Sequence, residues 1–193
     1  MFHLTTERPE DAAEIEALLD RAFGHNRFAK TSYRYRLRVA PVRGLSWVAR
    51  EGSEHAPGAI VGSIRFWPIA IGREGEQALL LGPLAVEPAR HGEGIGAGLT
   101  FLTLDLAAWA GHRLVLLVGD HGYYRRFGFA PAAPHGFTMP GELPERLLMK
   151  PLVPTGLGTT PGVVYSTASA VVGEVEANAG SSRHAVAIRR IVG

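Results

Sequence analysis

The sequence predicts one α/β domain whose central sheet mixes antiparallel and parallel strands. Three observations carry this. Apolar runs at 45–50 (LSWVAR), 59–71 (AIVGSIRFWPIAI) and 77–86 follow one another through short turns containing Gly, the pattern of antiparallel neighbours. From 77 to 118 the chain then reads strand, glycine loop, helix, strand, which implies a parallel pair and a right-handed crossover. The second strand of that pair, 114–118 (LVLLV), is apolar throughout, as a strand buried on both faces should be.

Taken in order, 6–23 is the first helix. Pro9 suits its first turn, Ile15, Leu18, Leu19 and Ala22 share one face, and Gly24 stops it. Residues 30–40 are ambiguous. Tyr33, Tyr35, Leu37 and Val39 alternate with arginines, which argues strand, yet Tyr33, Leu37 and Ala40 also fit one helix face. The three-strand meander follows, with turns at 51–57 and 72–76; Pro68 marks a bulge, a bend or an exposed edge. In the helix at 95–110, Ile95, Leu99, Leu102, Leu106 and Trp109 recur every three or four residues. Residues 119–129 (GDHGYYRRFGF) form a turn or two of helix ending at Gly128, with Asp120 placed to cap it. A strand at 146–152 and another at 163–170 follow. Beyond Val171 the pattern weakens, with a flexible look at 179–182 and a short helix or strand at 184–191.

Composition narrows the function classes. The chain has 193 residues, 46% hydrophobic and 20% charged, enough for a real core in one domain, or in one domain plus an appendage. It has no cysteine, which excludes disulfides, thiolate metal sites and cysteine nucleophiles. No histidine spacing resembles H-E-x-x-H, so no catalytic metal is expected. No apolar run approaches the roughly 18 residues of a membrane span. The N-terminus lacks the basic-then-apolar order of a secretion signal, so the expected address is the cytoplasm. Arg34, Arg36, Arg38 and Arg43 form a basic cluster that reads first as a solvated face, and otherwise as a holder of an anionic ligand's phosphate tail or of an acidic substrate. A net charge of +2 is small for a nucleic-acid binder.

Residues 80–99 (LLGPLAVEPARHGEGIGAGL) are the stretch with chemistry in it. A strand feeds a loop with Gly92, Gly94, Gly96 and Gly98, and the loop opens a helix. First-turn N–H groups lack internal partners, the helix dipole adds about half a positive charge there, and glycines admit a close ligand. The product is an anion site. Its phosphate does not belong to a P-loop nucleotide, since Ala97 and Gly98 stand where Lys and Ser or Thr are required. A dinucleotide fingerprint fits Gly92, Gly94 and Ala97 loosely, but four residues separate Glu87 from Gly92 where a tight strand-to-glycine turn is needed.

His91-Gly92-Glu93-Gly94-Ile95-Gly96 after Val86-Glu87-Pro88 resembles the acetyl-CoA loop of the GNAT (Gcn5-related) N-acetyltransferase superfamily, Q/R-x-x-G-x-G/A. His91 departs from the usual Gln or Arg. Tyr124-Arg125-Arg126-Phe127-Gly128-Phe129 is similar to the family's Y-x-x-x-G-F, and the GDHGYYRRFGF run looks most like the YhbS-type branch. The resemblance covers about 2–165. It implies a domain over 1–165, a C-terminal extension over 166–193, a second helix at 31–40, and a V-shaped splay of the sheet beside the glycine loop.

The resemblance also implies acetyl-CoA as co-substrate. Its pyrophosphate would rest on His91, Gly92, Glu93, Gly94, Ile95, Gly96 and Ala97, and its pantetheine arm on the main chain of Leu84, Ala85 and Val86. A primary amine of a small molecule or peptide would attack the thioester directly. Tyr124 is the candidate acid for the departing thiolate, with Tyr123 the alternative. The Val86 N–H is the candidate oxyanion donor. Glu87 is the nearest carboxylate that could act as base, and Asp120 and His121 could order a water. Arg34, Arg36, Arg38 and Trp67 fall on the side expected to frame the acceptor. A non-catalytic acyl-CoA-binding module of the same fold, as sensor or structural subunit, stays open. So do three fates of the tail: disorder, addition to a sheet edge, or packing on a second subunit as a homodimer.

Overall fold

The computed structural model describes residues 1–153 and 160–168. Among them, eight strands form one sheet in the order β1-β2-β3-β4-β5-β7-β6, with β8 paired to β3. The chain enters it at once: Phe2–Thr6 (β1) pairs antiparallel with Trp47–Ser53 (β2). This strand was not expected. FHLTT is short and nowhere fully buried, so its period is weak and its place comes from the partner strand.

The first helix starts later than residue 6. Pro9–Asp11 is a 3-10 turn, with the Asp11 carboxylate accepting from the Arg8 N–H at 2.9 Å, and Ala12–Phe23 (α1) follows. Ile15, Leu18 and Leu19 of α1 pack on Val48, Ile60 and Ala85. Each such side chain contributes about 1.5–3 kcal/mol of burial.

Residues 31–40 become neither the alternating strand nor the full helix. After a 3-10 turn at His25–Ala29, only Thr31–Arg34 (α2) is α-helical; turns carry the chain on to Arg38, whose φ is +60°. Tyr35 turns inward to Phe137 and Met139, while Leu37 stays 63% exposed. Tertiary contacts override both periodicities here.

The meander forms as expected from β2, Ala56–Ile71 (β3) and Glu76–Val86 (β4). Pro68 pairs Leu79 of β4, while on the other side of β3 the partner changes from β2, ending at Ile64, to β8, starting at Ile69. A residue without an N–H is tolerated in that gap. Ile95–Trp109 (α3) crosses to Leu114–Val118 (β5), which pairs parallel with β4. Val115 and Leu117 pack on the α3 side and Leu114 and Leu116 on the other, so β5 is buried on both faces. His121–Tyr124 (α4) and a 3-10 turn at Arg125–Phe127 end at Gly128. Ala130–Pro131 (β6), Leu147–Pro151 (β7) and Val164–Ser166 (β8) complete the sheet. β8 crosses residue 165, where the domain was expected to end. The features expected at 179–182 and 184–191 lie outside the described residues.

Candidate active site

Two features of β4 build the site. The first is a bulge. The register passes from Ile64↔Leu84 to Phe66↔Leu81, so β4 holds an extra residue at Gly82–Pro83. Before it, the odd-numbered Leu79 and Leu81 face α3; after it, the even-numbered Leu84 and Val86 do. Their side chains reach the first turn of α3, where a Cβ on Gly96 would stand 3.3 Å from Val86 Cγ2 and 3.8 Å from Leu84 Cδ2.

The second is a splay. β4 pairs with β5 only at Leu79↔Val115 and Leu80↔Leu116. Past that point β4 keeps its β3 partner and loses β5. The Glu87 N–H donates to Val61 O at 2.9 Å, so the alternation of the antiparallel ladder commits Ala85 to Ser63 and aims the N–H and C=O of Leu84 and Val86 away from β3. Two main-chain positions therefore face an open cleft, and Ala85 does not share them.

The glycine loop closes one side of this cleft. The first bond of α3 is Gly98 N–H to Gly94 O at 2.8 Å, which leaves the N–H groups of Ile95, Gly96 and Ala97 without backbone partners among the described residues. Gly94, at φ +82°, turns the chain into the helix. The Glu93 and His91 N–H groups are weakly engaged, at 3.4 Å to Arg90 O and Pro88 O. Arg90 braces the loop: its guanidinium forks onto the Glu93 carboxylate, at 2.7 Å for Nη2, and also meets Glu51. That pairing holds Glu93 below the usual carboxylate range. His91 Nε2 lies 3.3 Å from Val86 O.

Loop, β4 and α4 enclose a groove of about 530 Å³ lined by Leu84, Ala85, Val86, Arg90, His91, Gly92, Gly94, Ile95, Gly96, Ala97, Tyr123, Tyr124 and Arg126, with Ala22 and Phe23 of α1. It holds nine of the ten residues expected to meet the cofactor, all but Glu93. A second cavity of about 390 Å³ lies beyond it, walled by α2 and its approaches, the bulge, Val118, Gly119, Glu142 and Arg146. Phe23, Leu84 and Tyr124 line both.

The Asp120 carboxylate caps α4 by accepting from the Tyr123 N–H at 2.9 Å. Both tyrosines are half-buried and meet edge to face, with centroids 5.0 Å apart. Tyr123 turns to the loop, its hydroxyl 3.0 Å from where a Gly96 Cβ would sit. Tyr124 stands at the junction. Burial pushes its phenol well above the ordinary value; Tyr123 adds to this and Arg36 opposes it. The phenol is therefore an O–H donor throughout the neutral range.

Glu87 lines neither cavity. Its carboxylate is ion-paired with Arg21 Nε at 2.9 Å, on the α1 side. Of the residues expected near the acceptor, Arg36 lines the second cavity. Trp67 lines an adjoining one with Tyr33 and Arg36, and donates to Gly82 O at 2.6 Å. Arg34 and Arg38 are exposed and line neither. Arg126, Lys30, Glu142 and Arg146 were not anticipated. Arg126 could have been inferred from its place two residues after Tyr124; the others come from segments without a distinctive pattern. Among the described residues, no group of three His, Asp or Glu is placed to hold a metal. No helix among them is long and apolar enough to cross a membrane.

Residues 43–131 match the family model described as an acetyltransferase (GNAT) domain. The chain is 33% identical over 132 residues to the uncharacterized N-acetyltransferase YhbS of Escherichia coli strain K12, covering 68% of this chain and 75% of that one. It is 31% identical over 147 residues to the uncharacterized N-acetyltransferase YjhQ of the same strain, covering 75% and 77%. Among solved structures it resembles E. coli YhbS in complex with CoA, with a TM-score of 0.71, 30% identity, and coverage of 85% and 89%. It also resembles a GNAT family acetyltransferase of Brucella melitensis in complex with acetyl-CoA, with a TM-score of 0.65, 31% identity, and coverage of 88% and 97%.

Proposed function

Since the chain belongs to the GNAT acetyltransferase family, we propose that it uses acetyl-CoA to acetylate a primary amine by direct attack on the thioester. The observation that carries this is the pair of cavities sharing Leu84 and Tyr124. One cavity has the unpaired helix amides for a diphosphate, the other has room for an acceptor, and the reacting atoms meet where they join.

In this reading the amides of Gly92 and 94–97 hold the diphosphate, with Arg126 beside them. The N–H and C=O of Leu84 and Val86 take the pantetheine arm as an added strand. Of the two N–H groups, that of Leu84 lies at the junction and Val86 one pleat further along the groove. Both point the same way, so the carbonyl oxygen of the thioester has a fixed donor as charge grows on it. The amine nitrogen forms a bond to the acetyl carbon, the carbon–sulfur bond breaks, and the proton lost by nitrogen ends on sulfur. The Tyr124 hydroxyl donates to the departing sulfur. Its raised pKa keeps it from ionising, so it stabilises the thiolate mainly as a hydrogen-bond donor. Glu87, held by Arg21, has no part in this scheme.

Tyr124→Phe tests it. Thiol release from acetyl-CoA with an accepted amine should fall about 100-fold, in the range expected for one lost hydrogen-bond donor to developing charge, while calorimetric CoA binding stays within a factor of about three. Equal rates for variant and parent would remove Tyr124 from the chemistry. No thiol release by the parent with any amine would favour a binding module instead.

A further inference from the structure

Four cations line the second cavity, and one of them, Arg27, has acids: Glu16 at 2.6 Å and Asp20 at 3.1 Å. Arg65, beside the adjoining cavity, is paired with Glu7 at 2.7 Å. Of the three without an ion pair among the described residues, Lys30 and Arg146 are exposed and Arg36 is not. Its guanidinium makes no ion pair or side-chain hydrogen bond among the described residues, and its Nε is sealed from water without a partner. It stacks near the Tyr33 ring at 5.1 Å, and one terminal nitrogen lies 3.1 Å from where a Cβ on Gly82 would sit. Lys30 and Arg146 line the same cavity, against one acid, Glu142.

We propose that Arg36 binds a carboxylate or phosphate on the acceptor, so that the acceptor is a small anionic amine. This rests on the transfer reading above and names its substrate class. A guanidinium whose Nε is sealed from water without a partner is costly, and two oxygens of a carboxylate or phosphate match its fork. Burial lowers the pKa of Arg36 to about 10. Polyamines and aminoglycosides would bring cations to a wall that already carries Lys30, Arg36 and Arg146.

Geometry bounds the size. Gly82, beside Arg36, and Leu84, at the reacting end, are two residues apart on β4, a span under about 7 Å. The anion and the amine are therefore only a few bonds apart, as in an α- or β-amino acid or an aminoalkyl phosphate. The same charges ease the amine's proton loss, because neighbouring cations disfavour a further one. Lys30 shows the effect: its pKa is lowered by burial first, then by Arg146 and Arg36. A cavity of this kind has less need of a dedicated base.

The test uses the full chain, acetyl-CoA and paired acceptors: amino acids beside their methyl esters, 2-aminoethyl phosphate beside ethanolamine, and spermidine. Rates are compared per free-base amine. We expect at least one anionic member to exceed its neutral partner tenfold or more in kcat/KM. The carboxylate and phosphate arms tell the two anions apart. That ratio should collapse toward one in Arg36→Gln and be partly kept in Arg36→Lys. A preference for esters or spermidine, or a ratio untouched by Arg36→Gln, overturns the inference and leaves acetyl transfer standing. If no amine releases thiol, calorimetry on the CoA-loaded protein decides. An anionic amine that binds the parent and not Arg36→Gln upholds the anion site while the transfer reading fails; equal binding of acid and ester sinks the anion site.

Discussion

The ring of Tyr124 lies against the backbone of Gly119: a Cβ on Gly119 would come within 2.5 Å of Tyr124 Cε2 and 2.9 Å of Cδ2. Gly119 is the first residue past β5 and Tyr124 ends α4, so the residue that leaves the strand sets where the phenol stands. Both line the second cavity. A rigid ring cannot fold away from a new methyl group as a long side chain would.

Gly119→Ala should therefore behave as a displacement of Tyr124. Its backbone accepts alanine, so the chain should fold. The turnover rate should drop tenfold or more, because an ångström of misplacement can cost about 100-fold. CoA affinity should change much less. Stopped thiol-release assays with calorimetry separate the two; unchanged turnover would mean that the ring's position is immaterial.

Tyr124 also predicts a pH profile. Its phenol pKa is raised by burial, so it stays protonated past the ordinary tyrosine value of about 10. The rate should rise as the acceptor amine loses its proton and show no loss from Tyr124 ionisation below that value. Tyr124→Phe should lower the plateau and leave the limb in place. For stability the sign is the same: a folded-state pKa above the unfolded one gives stability that is complete below about pH 10 and lost as pH rises toward the folded value. Denaturant melts of parent and Tyr124→Phe at pH 7 and above 10 check this.

Gly62 on β3 lets α3 sit close to the sheet. A Cβ there would fall 2.6 Å from Ile95 Cγ2 and 3.1 Å from Leu99 Cδ1. Gly62→Ala should cost about 1–3 kcal/mol by overpacking, which for a chain this long lowers Tm by about 2–4 °C per kcal/mol. It should also weaken CoA binding, since the displaced helix start carries the diphosphate amides. A melting curve and a CoA titration read both effects.

Arg36 predicts the opposite kind of result. Its charge is held in the folded protein against a pKa lowered from 12.5 to about 10. At pH 7 both folded and unfolded chains carry the proton, so the full burial cost is present. Arg36→Gln should thus be as stable as the parent, or more stable by on the order of 1–3 kcal/mol, at pH 7. Thermal melts at pH 7 check it, and a lower Tm for the variant would show that Arg36 has a stabilising partner.

The fold was legible where local period and punctuation agree. LVLLV, the turn glycines of the meander and the helix behind the loop were placed within a few residues, because burial on both faces, tight turns and a 3.6-residue repeat each leave a local mark. β1 left none, since FHLTT is short and half-exposed. Residues 31–40 carried two conflicting periods, and the contacts of Tyr35 decided between neither.

What the chain alone determined is the order of elements from β2 to α4, the unpaired amides behind Gly94 and the tyrosine pair that follows β5, all set by residues near one another in sequence. What only tertiary structure decided is how they meet. One extra residue in β4 turns Leu84 and Val86 to α3, and the early loss of β5 bares their N–H groups. The turn after α2 brings Arg36 beside Gly82. Those outcomes depend on contacts between segments tens of residues apart, and no local pattern of polarity can encode a distance across a cleft.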